Sequence, residues 1–420
     1  MTRICASLDR YTGREDLSGA DMVEIRTDLF DKVPNIPGKE MLVTFRGDVD
    51  LGILPELKVV SSYHDYKKTP SSNEMGDILN SMTGDIVKGA FSVRDFNDLK
   101  DIMAVSKTVD RPHVLIGMNE MGAITRLRSS LLGNEFTFGY IGEPTAPGQL
   151  SVGEMARLGE GCMVLGIIGN PLSKSKSPEM HAAALADAGI DGVYLRFETR
   201  GITNAGKVIR EYGIRGVNVT IPYKNSIMSQ MDEIDTVAES IGAVNTVVND
   251  DGVLKGFNTD VIGVEIAMRR AGFDPDGKRA VIMGAGGSAK ACVHVLAEKG
   301  CRVTITGRND ENSAELAKET GCEWRPKDSV SLQMTDLLVN CTPVGMYDDG
   351  AYPLGLDRLS ADHTVFDMVY GKETQMVARA RAVGAGGVSG KDMLAGQGAA
   401  SFGMWTGAGD KFDVMRRVLG

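Results

Sequence analysis

The chain has 420 residues, which is too long for one compact core and predicts two or three domains. Its composition, 42% hydrophobic and 24% charged, is typical of a globular protein, and its formal net charge of −10 argues against nucleic acid or an anionic membrane as a partner. The cysteines form no CxxC pair, and neither a signal peptide nor a long apolar span is evident. We therefore expect a cytoplasmic protein that binds small molecules and no metal.

Residues 1–160 contain a series of apolar, β-rich runs, several of them followed by helical segments such as Ser92–Lys107. This alternation predicts parallel βα units. The runs are Ile4–Leu8, Met22–Leu29, Met41–Arg46, Leu57–Tyr63, Asp85–Phe91, His113–Gly117 and Phe136–Ile141. In such folds, polar residues at the C-terminal ends of strands tend to be catalytic. Here they are Glu24, Arg26, Arg46, His64, Asp65 and Lys88.

Lys88 lies in the apolar run Asp85-Ile-Val-Lys-Gly-Ala-Phe. A lysine on such a strand is ordinarily placed at a sheet edge or paired with a carboxylate. If it is buried, its amine loses solvation and becomes a nucleophile that forms a Schiff base with a ketone. His64 would then move protons on the neighbouring carbon, with Glu24 or Asp65 orienting it, and the arginines would hold a carboxylate. The set predicts imine chemistry on a keto acid; an aldolase-type reaction on another keto acid is the alternative.

Six segments of this half resemble the type I 3-dehydroquinate dehydratases, in the family's order. They are Met22-Val-Glu-Ile-Arg-Thr-Asp-Leu, Thr44-Phe-Arg46, Ser62-Tyr-His-Asp, Asp85-Ile-Val-Lys88, Ile124-Thr-Arg-Leu127 and Thr145-Ala-Pro-Gly-Gln149. The resemblance implies that Lys88 forms the Schiff base with the 3-keto group, that His64 abstracts the C2 proton and that Glu24 supports His64. It implies substrate contacts from Arg26, Arg46, Arg126, Thr145 and Gln149, with Thr145 where the family usually has serine.

The same resemblance implies a (β/α)8 barrel, which usually needs at least ~200 residues. Residues 1–160 are fewer, and the connection from Arg46 to Leu57 is barely long enough for one crossover. The stretch Asp31–Lys39, with Pro34 and Pro37, is a poor helix. We therefore expect a shortened barrel of seven strands.

A new apolar strand begins at Gly161, where we place a domain boundary. It leads into Gly169-Asn-Pro-Leu-Ser-Lys-Ser-Lys-Ser-Pro178, a serine-rich loop. Such serines are often only caps and turns. Alternatively, Ser175 and Ser177 could hydrogen-bond a carboxylate at the strand end.

Three further segments place polar side chains after short strands. The strand beginning at Gly216 is ended by Pro222, and Lys224 follows just beyond its C-terminal end. Asn245 and Asp260 follow later strands. Taken alone, Lys224 is ordinarily a solvated surface charge. A Lys–Asp pair in a cleft that faces a nicotinamide would instead suit proton transfer at an alcohol.

The stretch Val281–Arg308 predicts strand, glycine turn, helix and strand, the unit that places a dinucleotide pyrophosphate on a helix N-terminus. Gly284 and Gly286 allow a tight turn, and Ala289 fills the third glycine position of the motif. A plain strand–helix loop is the alternative. The second strand ends in Gly307-Arg308-Asn309, and a guanidinium there suits a 2′-phosphate, so we expect NADP.

These segments resemble shikimate dehydrogenase, as do Asn340-Cys-Thr-Pro-Val-Gly-Met346, Asp367-Met-Val-Tyr370 and Gly390–Gln397. The resemblance implies that Lys224 and Asp260 form the catalytic pair. It implies substrate contacts from Ser175, Ser177, Asn218, Thr220, Asn245, Tyr370 and Gln397. It implies cofactor contacts from Gly284, Ala285, Gly286, Gly287, Ser288, Ala289, Gly307, Arg308, Asn309, Gly390 and Met393. Ser177 favours shikimate over quinate. A second basic residue often follows the NADP arginine in the family, and Asn312 stands nearby in this chain.

Together the patterns predict an α/β chain with a shortened (β/α)8-type barrel, a mixed α/β substrate domain and a Rossmann NADP-binding domain. We expect these at residues 1–160, at 161–262 completed by 392–420, and at 263–391. A C-terminal helix, Gly396–Leu419, would pack back on the substrate domain through Phe402, Trp405, Phe412 and Met415. The two halves would dehydrate 3-dehydroquinate and then reduce 3-dehydroshikimate to shikimate, in a possible homodimer. The alternative is a reductase alone, with the first half as a binding or structural module.

Overall fold

The computed structural model describes residues 2–8, 10–26, 29, 34, 36–45, 57–144, 148–346, 352 and 354–420. The chain forms two compact units. The first consists of Met1–Ser173 and Ile190–Val217, and the second of Lys174–Gly189 and Asn218–Gly420. The predicted division into three domains stays a prediction. Within the described ranges, no helix combines the length and the apolar character needed to cross a membrane.

The apolar runs of the first half all become strands of one parallel sheet. Its strands are β1 Arg3–Leu8, β2 Met22–Arg26, β3 Glu40–Phe45, β4 Lys58–Asp65, β5 Ile86–Ser92, β6 His113–Met118 and β7 Phe136–Tyr140. Their order in the sheet is β6-β5-β4-β3-β2-β1-β7. The sheet is nearly closed, and the described residues contain no eighth strand between β6 and β7, so the prediction of a shortened barrel is confirmed. Several bounds differ by a residue or two, and the largest difference is at β2, which ends at Arg26 and does not reach Leu29.

On the edge of β6 that faces no further strand of the described residues, side chains form the hydrogen bonds that a neighbouring strand would otherwise make with the backbone. The Leu115 N–H donates to Asn134 Oδ1 (2.7 Å), and Asn134 Nδ2 donates to the Leu115 carbonyl (3.1 Å). The Gly117 N–H donates to Thr125 Oγ1 (2.9 Å), and Arg126 donates to the Gly117 carbonyl (2.8 Å). Buried backbone groups need such partners, so these contacts let the sheet end at β6 without exposed edge groups.

Short helices follow several of these strands, and three of the helices begin with a side-chain cap. Ser71 with Glu74 and Ser151 with Glu154 form capping boxes, and the Asp95 carboxylate caps a third helix. The helices are α1 Ser72–Ser81, α2 Phe96–Ser106, α3 Asn119–Gly122, α4 Ile124–Leu127 and α5 Val152–Leu158.

The inward face of the sheet carries an apolar cluster that alternates along the strands and includes Met22, Ile86 and Phe136. Residues two apart on a strand share a face. Glu24 and Lys88 therefore lie on the same inward face, one step closer to the C-terminal ends of β2 and β5.

The next stretch runs through β8 Met163–Gly169, α6 Ser177–Asp187, β9 Gly192–Glu198, α7 Ala205–Glu211, β10 Gly216–Val219, β11 Glu233–Ile234, α8 Thr236–Ile241, β12 Thr246–Asp250 and β13 Val253–Phe257. The boundary between the two units falls inside β10. In the first unit β8 and β9 pair in parallel, and in the second β12 and β13 pair antiparallel. Strand β10 ends at Val219, earlier than Pro222, the residue expected to end it.

The second unit also contains a six-stranded parallel sheet. The elements are α9 Asp260–Ala271, β14 Arg279–Met283, α10 Gly287–Glu298, β15 Arg302–Thr306, α11 Asp310–Thr320, β16 Glu323–Trp324, β17 Leu337–Asn340, β18 Thr364–Asp367, α12 Gln375–Val383 and β19 Gly386–Ser389. The strand order is β16-β15-β14-β17-β18-β19, so the predicted nucleotide-binding sheet is confirmed. The order reverses between β14 and β17, and ligands bind in the crevice at such a point.

The predicted C-terminal helix is two helices, so that prediction was wrong in its bounds. Helix α13 spans Gly390–Thr406 and α14 spans Phe412–Val418. Gly407 ends α13 in the left-handed conformation, with φ of +67°. The packing prediction is confirmed: Phe402, Trp405, Phe412 and Met415 are all buried, and the Trp405 indole donates to the Val247 carbonyl of β12 at 2.9 Å.

Candidate functional sites

Lys88 is buried on the inward face of β5, with 6% of its surface exposed. Its Nζ donates to Glu24 Oε1 at 2.9 Å and lies 3.7 Å from the centre of the Phe138 ring. The ammonium is therefore held between a carboxylate and an aromatic face, a cation–π contact. Both alternatives that the sequence offered for Lys88 therefore hold, because the lysine is buried and is also paired with a carboxylate.

Glu24 is the more deeply buried partner, at 1% exposure. Its carboxylate also accepts from Ser7 Oγ at 2.6 Å and from Thr44 Oγ1 at 2.8 Å. Burial by itself would raise the pKa of Glu24, but the charge of Lys88 and the three hydrogen bonds outweigh burial and lower the pKa below its usual range. Glu24 is therefore a carboxylate beside the lysine amine.

His64 lies on β4, opposite Ala90 of β5, two residues beyond Lys88 in the pairing of these strands. Its Nε2 is 3.0 Å from Ser62 Oγ, and its Nδ1 is 3.1 Å from the Tyr66 hydroxyl. Asp65 accepts the N–H groups of the two residues after Tyr66, at 2.8 and 3.0 Å. Two hydroxyl groups therefore contact the ring, and the orienting role of Glu24 or Asp65 stays a prediction.

Arg126 is a buried cation in the same unit. Its guanidinium donates to the Gly117 carbonyl, and burial lowers its pKa to about 10. Its Nε has no hydrogen-bond partner in the part of the chain that the structure describes. Arg26, the last residue of β2, and Gln149 are half-buried. Arg46 and Thr145 lie outside the described residues.

In the second unit, Lys224 and Asp260 form the predicted pair. Lys224 Nζ lies 2.5 Å from Asp260 Oδ2, and Asn245 Nδ2 donates to Asp260 Oδ1 at 2.8 Å. Asp260 is the first residue of α9, where the positive end of the helix dipole favours a carboxylate. Both oxygens of Asp260 are thus occupied, and the carboxylate holds the ammonium in one direction.

Asn245 is itself fixed by neighbouring hydroxyls and amides. Its Oδ1 accepts from the Thr259 N–H (2.7 Å) and from Thr246 Oγ1 (2.9 Å), and its carbonyl accepts from the Val219 N–H (2.7 Å). Asn218 Nδ2 reaches Thr246 Oγ1 at 3.3 Å. The predicted residues Asn218, Asn245 and Asp260 therefore belong to one buried network.

The remaining predicted substrate residues are placed by α6, β10 and α13. The Ser177 N–H donates to Ser175 Oγ at 3.3 Å at the start of α6, where Ser177 is buried and Ser175 half-buried. Thr220 is half-buried just after β10, and Gln397 is buried within α13. The structure shows where these side chains are, and their roles stay predictions.

The glycine turn fits a dinucleotide. Gly284 has a φ of +116°, and a Cβ there would lie 3.2 Å from the Cys341 carbonyl at the end of β17. Gly286 begins α10 without a side-chain cap in the described residues, so the first N–H groups of the helix are available to a pyrophosphate. Ala285 lies in the turn, and Ser288 and Ala289 follow Gly287 in the first turn of α10.

Two neighbours complete this site. A Cβ on Gly287 would lie 3.0 Å from Lys224 Cδ, so the catalytic lysine candidate lies directly against the glycine turn. Gly307, Arg308 and Asn309 follow β15, Arg308 is exposed, and Asn309 caps α11. The guanidinium is accessible to a phosphate at the end of the second strand of the unit.

Asp367 organises the ends of β17 and β18. It accepts from Asn340 Nδ2 (2.9 Å), from Thr374 Oγ1 (2.6 Å) and from the Val369 N–H (3.1 Å). Tyr370 follows it half-buried, Gly390 opens α13, and Met393 is buried in that helix. A Cβ on Gly390 would lie 2.5 Å from the Asp367 carbonyl, so the helix start is held close to β18.

Sequence reasoning missed several of these contacts. No role was assigned to Ser7, Thr44, Tyr66, Phe138 or Asp367, although some lay in quoted motifs. The signal that could have found Ser7 is its period-two position at the end of β1. The others depend on strand register and loop geometry.

Three family profiles match the chain. "Shikimate dehydrogenase substrate binding domain" matches residues 167–247, "Shikimate / quinate 5-dehydrogenase" matches 265–343, and "Type I 3-dehydroquinase" matches 52–159. The third match contains both His64 and Lys88. The first two contain Lys224 and the glycine turn.

Known proteins agree with these matches. Shikimate dehydrogenase (NADP(+)) of Moorella thermoacetica is 41% identical over 271 residues, covering 61% of this chain and 92% of that protein. The chloroplastic bifunctional 3-dehydroquinate dehydratase/shikimate dehydrogenase of Arabidopsis thaliana is 32% identical over 391 residues, covering 84% of this chain and 64% of that protein. A crystal structure of the Thermus thermophilus shikimate 5-dehydrogenase with NADP(H) and shikimate aligns with a TM-score of 0.57 at 34% identity, covering 61% of this chain and 98% of that one. The chain therefore belongs to the shikimate dehydrogenase family and carries a type I 3-dehydroquinase region ahead of that part.

Proposed function

We propose that the chain catalyses two consecutive reactions, a lyase step and an oxidoreductase step. The first unit dehydrates 3-dehydroquinate to 3-dehydroshikimate, and the second reduces 3-dehydroshikimate to shikimate with NADPH. The observation that carries the proposal is that each unit contains a lysine–carboxylate pair shielded from solvent, Lys88–Glu24, which is buried, and Lys224–Asp260, which is partly buried. The name of the Arabidopsis relative joins the same two activities.

In the dehydratase reaction, Lys88 is the nucleophile. Its ammonium must first lose a proton, and Glu24, 2.9 Å away, is the nearest acceptor. The neutral amine attacks the 3-keto carbon, a C–N bond forms, and the carbonyl oxygen leaves as water. The resulting imine withdraws electrons from C2, which makes the C2 proton removable.

His64 takes that proton and assists the departure of the neighbouring hydroxyl as water. Water then hydrolyses the product imine, which breaks the C–N bond, releases 3-dehydroshikimate and restores the Lys88 amine. The buried Arg126, with a guanidinium N–H that lacks an acceptor in the described chain, suits the substrate carboxylate. Arg26 and Gln149 would contact hydroxyl groups of the substrate. Arg46 and Thr145 are proposed for the same site from the family resemblance, and they lie outside the described residues.

In the reductase reaction, NADPH bound at the glycine turn supplies the hydride. Lys224 protonates the C3 oxygen, Asp260 orients the ammonium as a charged carboxylate, and the neutral lysine then takes a proton back from water. Ser175, Ser177, Asn218, Thr220, Asn245, Tyr370 and Gln397 hold the substrate. The second serine, Ser177, favours shikimate over quinate.

The cofactor choice is proposed from Arg308. A guanidinium at the end of β15 binds a 2′-phosphate through two parallel hydrogen bonds, which NAD cannot offer. Gly284 to Ala289 and Gly307 to Asn309 would hold the dinucleotide, and the resemblance implies that Gly390 and Met393 would contact it. The Moorella relative is named for NADP(+).

One coupled assay tests both reactions. Purified chain is mixed with NADPH and 3-dehydroquinate, with 3-dehydroshikimate as a parallel substrate, and the nicotinamide absorbance is followed. Oxidation with both substrates supports both steps, and Lys88→Ala should then abolish only the signal from 3-dehydroquinate. Oxidation with 3-dehydroshikimate alone would leave a reductase with a non-catalytic first half. No oxidation with either substrate would refute the reductase.

We also propose a cytoplasmic setting and a homodimer. The six cysteines are free thiols, the form that a reducing compartment maintains. Fractionation of the source cells and sedimentation velocity of the purified chain test the two points separately.

A further inference from the structure

We infer that Tyr66 is a positioning residue of the dehydratase site, whose hydroxyl accepts the Nδ1–H of His64 and leaves Nε2 as the proton-accepting nitrogen. The inference rests on the proposed dehydratase function, because it is that reaction which requires His64 to act as a base. Nothing in the sequence pattern singled out Tyr66, and the family resemblance did not assign it a role.

The strand register and the contact with Ser62 together indicate which nitrogen of His64 faces the substrate. Ser62 lies opposite Lys88 in the pairing of β4 with β5, and His64 lies opposite Ala90, one step nearer the C-terminal end. Residues two apart share a face, so Ser62, His64 and Lys88 point to the same side of the sheet. Because Nε2 is the nitrogen bonded to Ser62, Nε2 is directed toward the row that holds Lys88, where the imine would form.

Nδ1 is directed away from that row, toward Tyr66. The hydroxyl lies 3.1 Å from Nδ1, and the two rings meet edge to face at 5.7 Å with an interplanar angle of 83°. A neutral imidazole has one N–H donor and one acceptor nitrogen, and the bond at one nitrogen decides the state of the other. With the proton on Nδ1 and donated to Tyr66, Nε2 is the unprotonated nitrogen, which accepts from the Ser62 hydroxyl and can exchange that bond for the C2 proton.

The same bond serves the charged state of the ring. After His64 has taken a proton, both nitrogens carry hydrogens and both need acceptors. The oxygens of Tyr66 and Ser62 can each accept, so neither contact has to be rebuilt during proton transfer.

The turn that carries Tyr66 is held at both ends, although the side chain itself is 63% exposed. Asp65 accepts the N–H groups of Lys67 and Lys68, and these bonds, with the charges of the two lysines, lower the pKa of Asp65 below its usual range against the smaller effect of burial. Thr69 Oγ1 donates to the Ser92 carbonyl at the end of β5, at 2.9 Å. The backbone around Tyr66 is therefore fixed relative to the strands that carry His64 and Lys88.

The test is Tyr66→Phe in the full-length chain, with Tyr63→Phe as the matched control. The first change keeps the ring contact and removes only the oxygen. Tyr63 lies on the opposite face of β4, with its ring 6.2 Å from that of Phe91. The readouts are the histidine tautomer, from nitrogen NMR of ¹⁵N-histidine-labelled protein with the His64 signals assigned by His64→Gln, and the steady-state kinetics of dehydration and reduction.

We expect wild-type His64 to carry its proton on Nδ1, and Tyr66→Phe to shift the population toward the Nε2–H form. Dehydration should lose roughly five- to ten-fold in kcat, the scale of one lost hydrogen bond, with little change in KM. Reduction of 3-dehydroshikimate should be unchanged, and Tyr63→Phe should leave both the tautomer and kcat at wild-type values.

The NMR and kinetic results separate the two proposals. A wild-type ring protonated on Nε2, or a tautomer that Tyr66→Phe leaves unchanged, would overturn the role of Tyr66. An Nδ1–H signal that Tyr66→Phe reduces, in a chain that does not dehydrate 3-dehydroquinate, would support the positioning contact and refute the dehydratase instead.

Discussion

Replacing Glu24 by glutamine would remove one charge from the first unit while leaving every hydrogen-bond partner within reach. Glu24 Oε1 accepts from both Lys88 and Thr44, and Oε2 accepts from Ser7. In the variant, the amide oxygen can accept the first two bonds, and the amide nitrogen can donate to Ser7 Oγ. The change is therefore electrostatic and nearly isosteric.

The expected loss of stability follows from what Lys88 must then do. If it stays charged, it is a buried ammonium without its counter-ion, and breaking a buried pair in this way costs about 3–5 kcal/mol. If it becomes neutral, deprotonating an ordinary lysine with a pKa near 10.4 at pH 7 costs about 5 kcal/mol. We expect the free energy of unfolding of the first unit to fall by about 3–5 kcal/mol, and its melting temperature to fall by roughly 10 °C.

The difference in free energy of unfolding between the wild type and Glu24→Gln should become smaller as the pH falls. The pKa of Glu24 in the folded chain is lowered from its ordinary value of 4.5, because the charge of Lys88 and the hydrogen bonds outweigh the effect of burial. Between the two pKa values the unfolded chain binds more protons, so stability falls as the pH falls. The contribution of Glu24 is thus complete above pH 4.5 and is lost as the pH drops through the folded pKa, and the variant should approach the wild type in acid.

Urea unfolding followed by circular dichroism at several pH values measures this effect. The control is Glu120→Gln, which breaks the exposed Glu120–Arg196 pair of the same unit and should cost less than about 1 kcal/mol. Borohydride trapping of the 3-dehydroquinate imine, read by mass spectrometry, should be slower in Glu24→Gln. A variant that is as stable as the wild type at neutral pH would refute the reasoning about the buried pair.

Three further predictions concern the second unit. Gly287→Ala adds a Cβ 3.0 Å from Lys224 Cδ, so kcat for reduction should fall roughly ten-fold with little change in melting temperature, and an unchanged kcat would contradict the contact. Arg308→Ala should raise KM for NADPH by roughly ten- to a hundred-fold, the scale of lost charge-assisted bonds, and equal changes for NADPH and NADH would count against a 2′-phosphate contact. In the wild type the Thr374 hydroxyl donates to Asp367, and Asp367→Asn places an amide nitrogen opposite that hydroxyl. The variant should destabilise the unit by about 1–3 kcal/mol in denaturant titrations, and an unaffected midpoint would contradict a role for this network.

The seven strands of the first sheet and the nucleotide-binding sheet were predictable because apolar runs of fixed period determine which segments become strands. Lys88 stood out for the same reason, since a charge inside such a run has to be compensated. Its partner was not predictable: whether Glu24 faces Lys88 or His64 depends on the register of neighbouring strands, which period-two patterns leave open. The break at Gly407 was missed because glycines also occur within the adjoining helix α13.

The two lysine–carboxylate pairs use the same residue types in different surroundings, and the difference matches the chemistry proposed for each. Lys88 lies in mid-strand with the Phe138 ring at 3.7 Å, and its carboxylate is buried among hydroxyl donors. Such an amine can give up its proton to Glu24 and bond to carbon without water competing. Lys224 instead lies beyond the end of a strand, against the glycine turn, and Asp260 begins a helix whose dipole favours the anion. A lysine held by a carboxylate that stays charged is suited to passing a proton to an oxygen and recovering it. Burial at the first site and the helix end at the second therefore determine which task each lysine can perform.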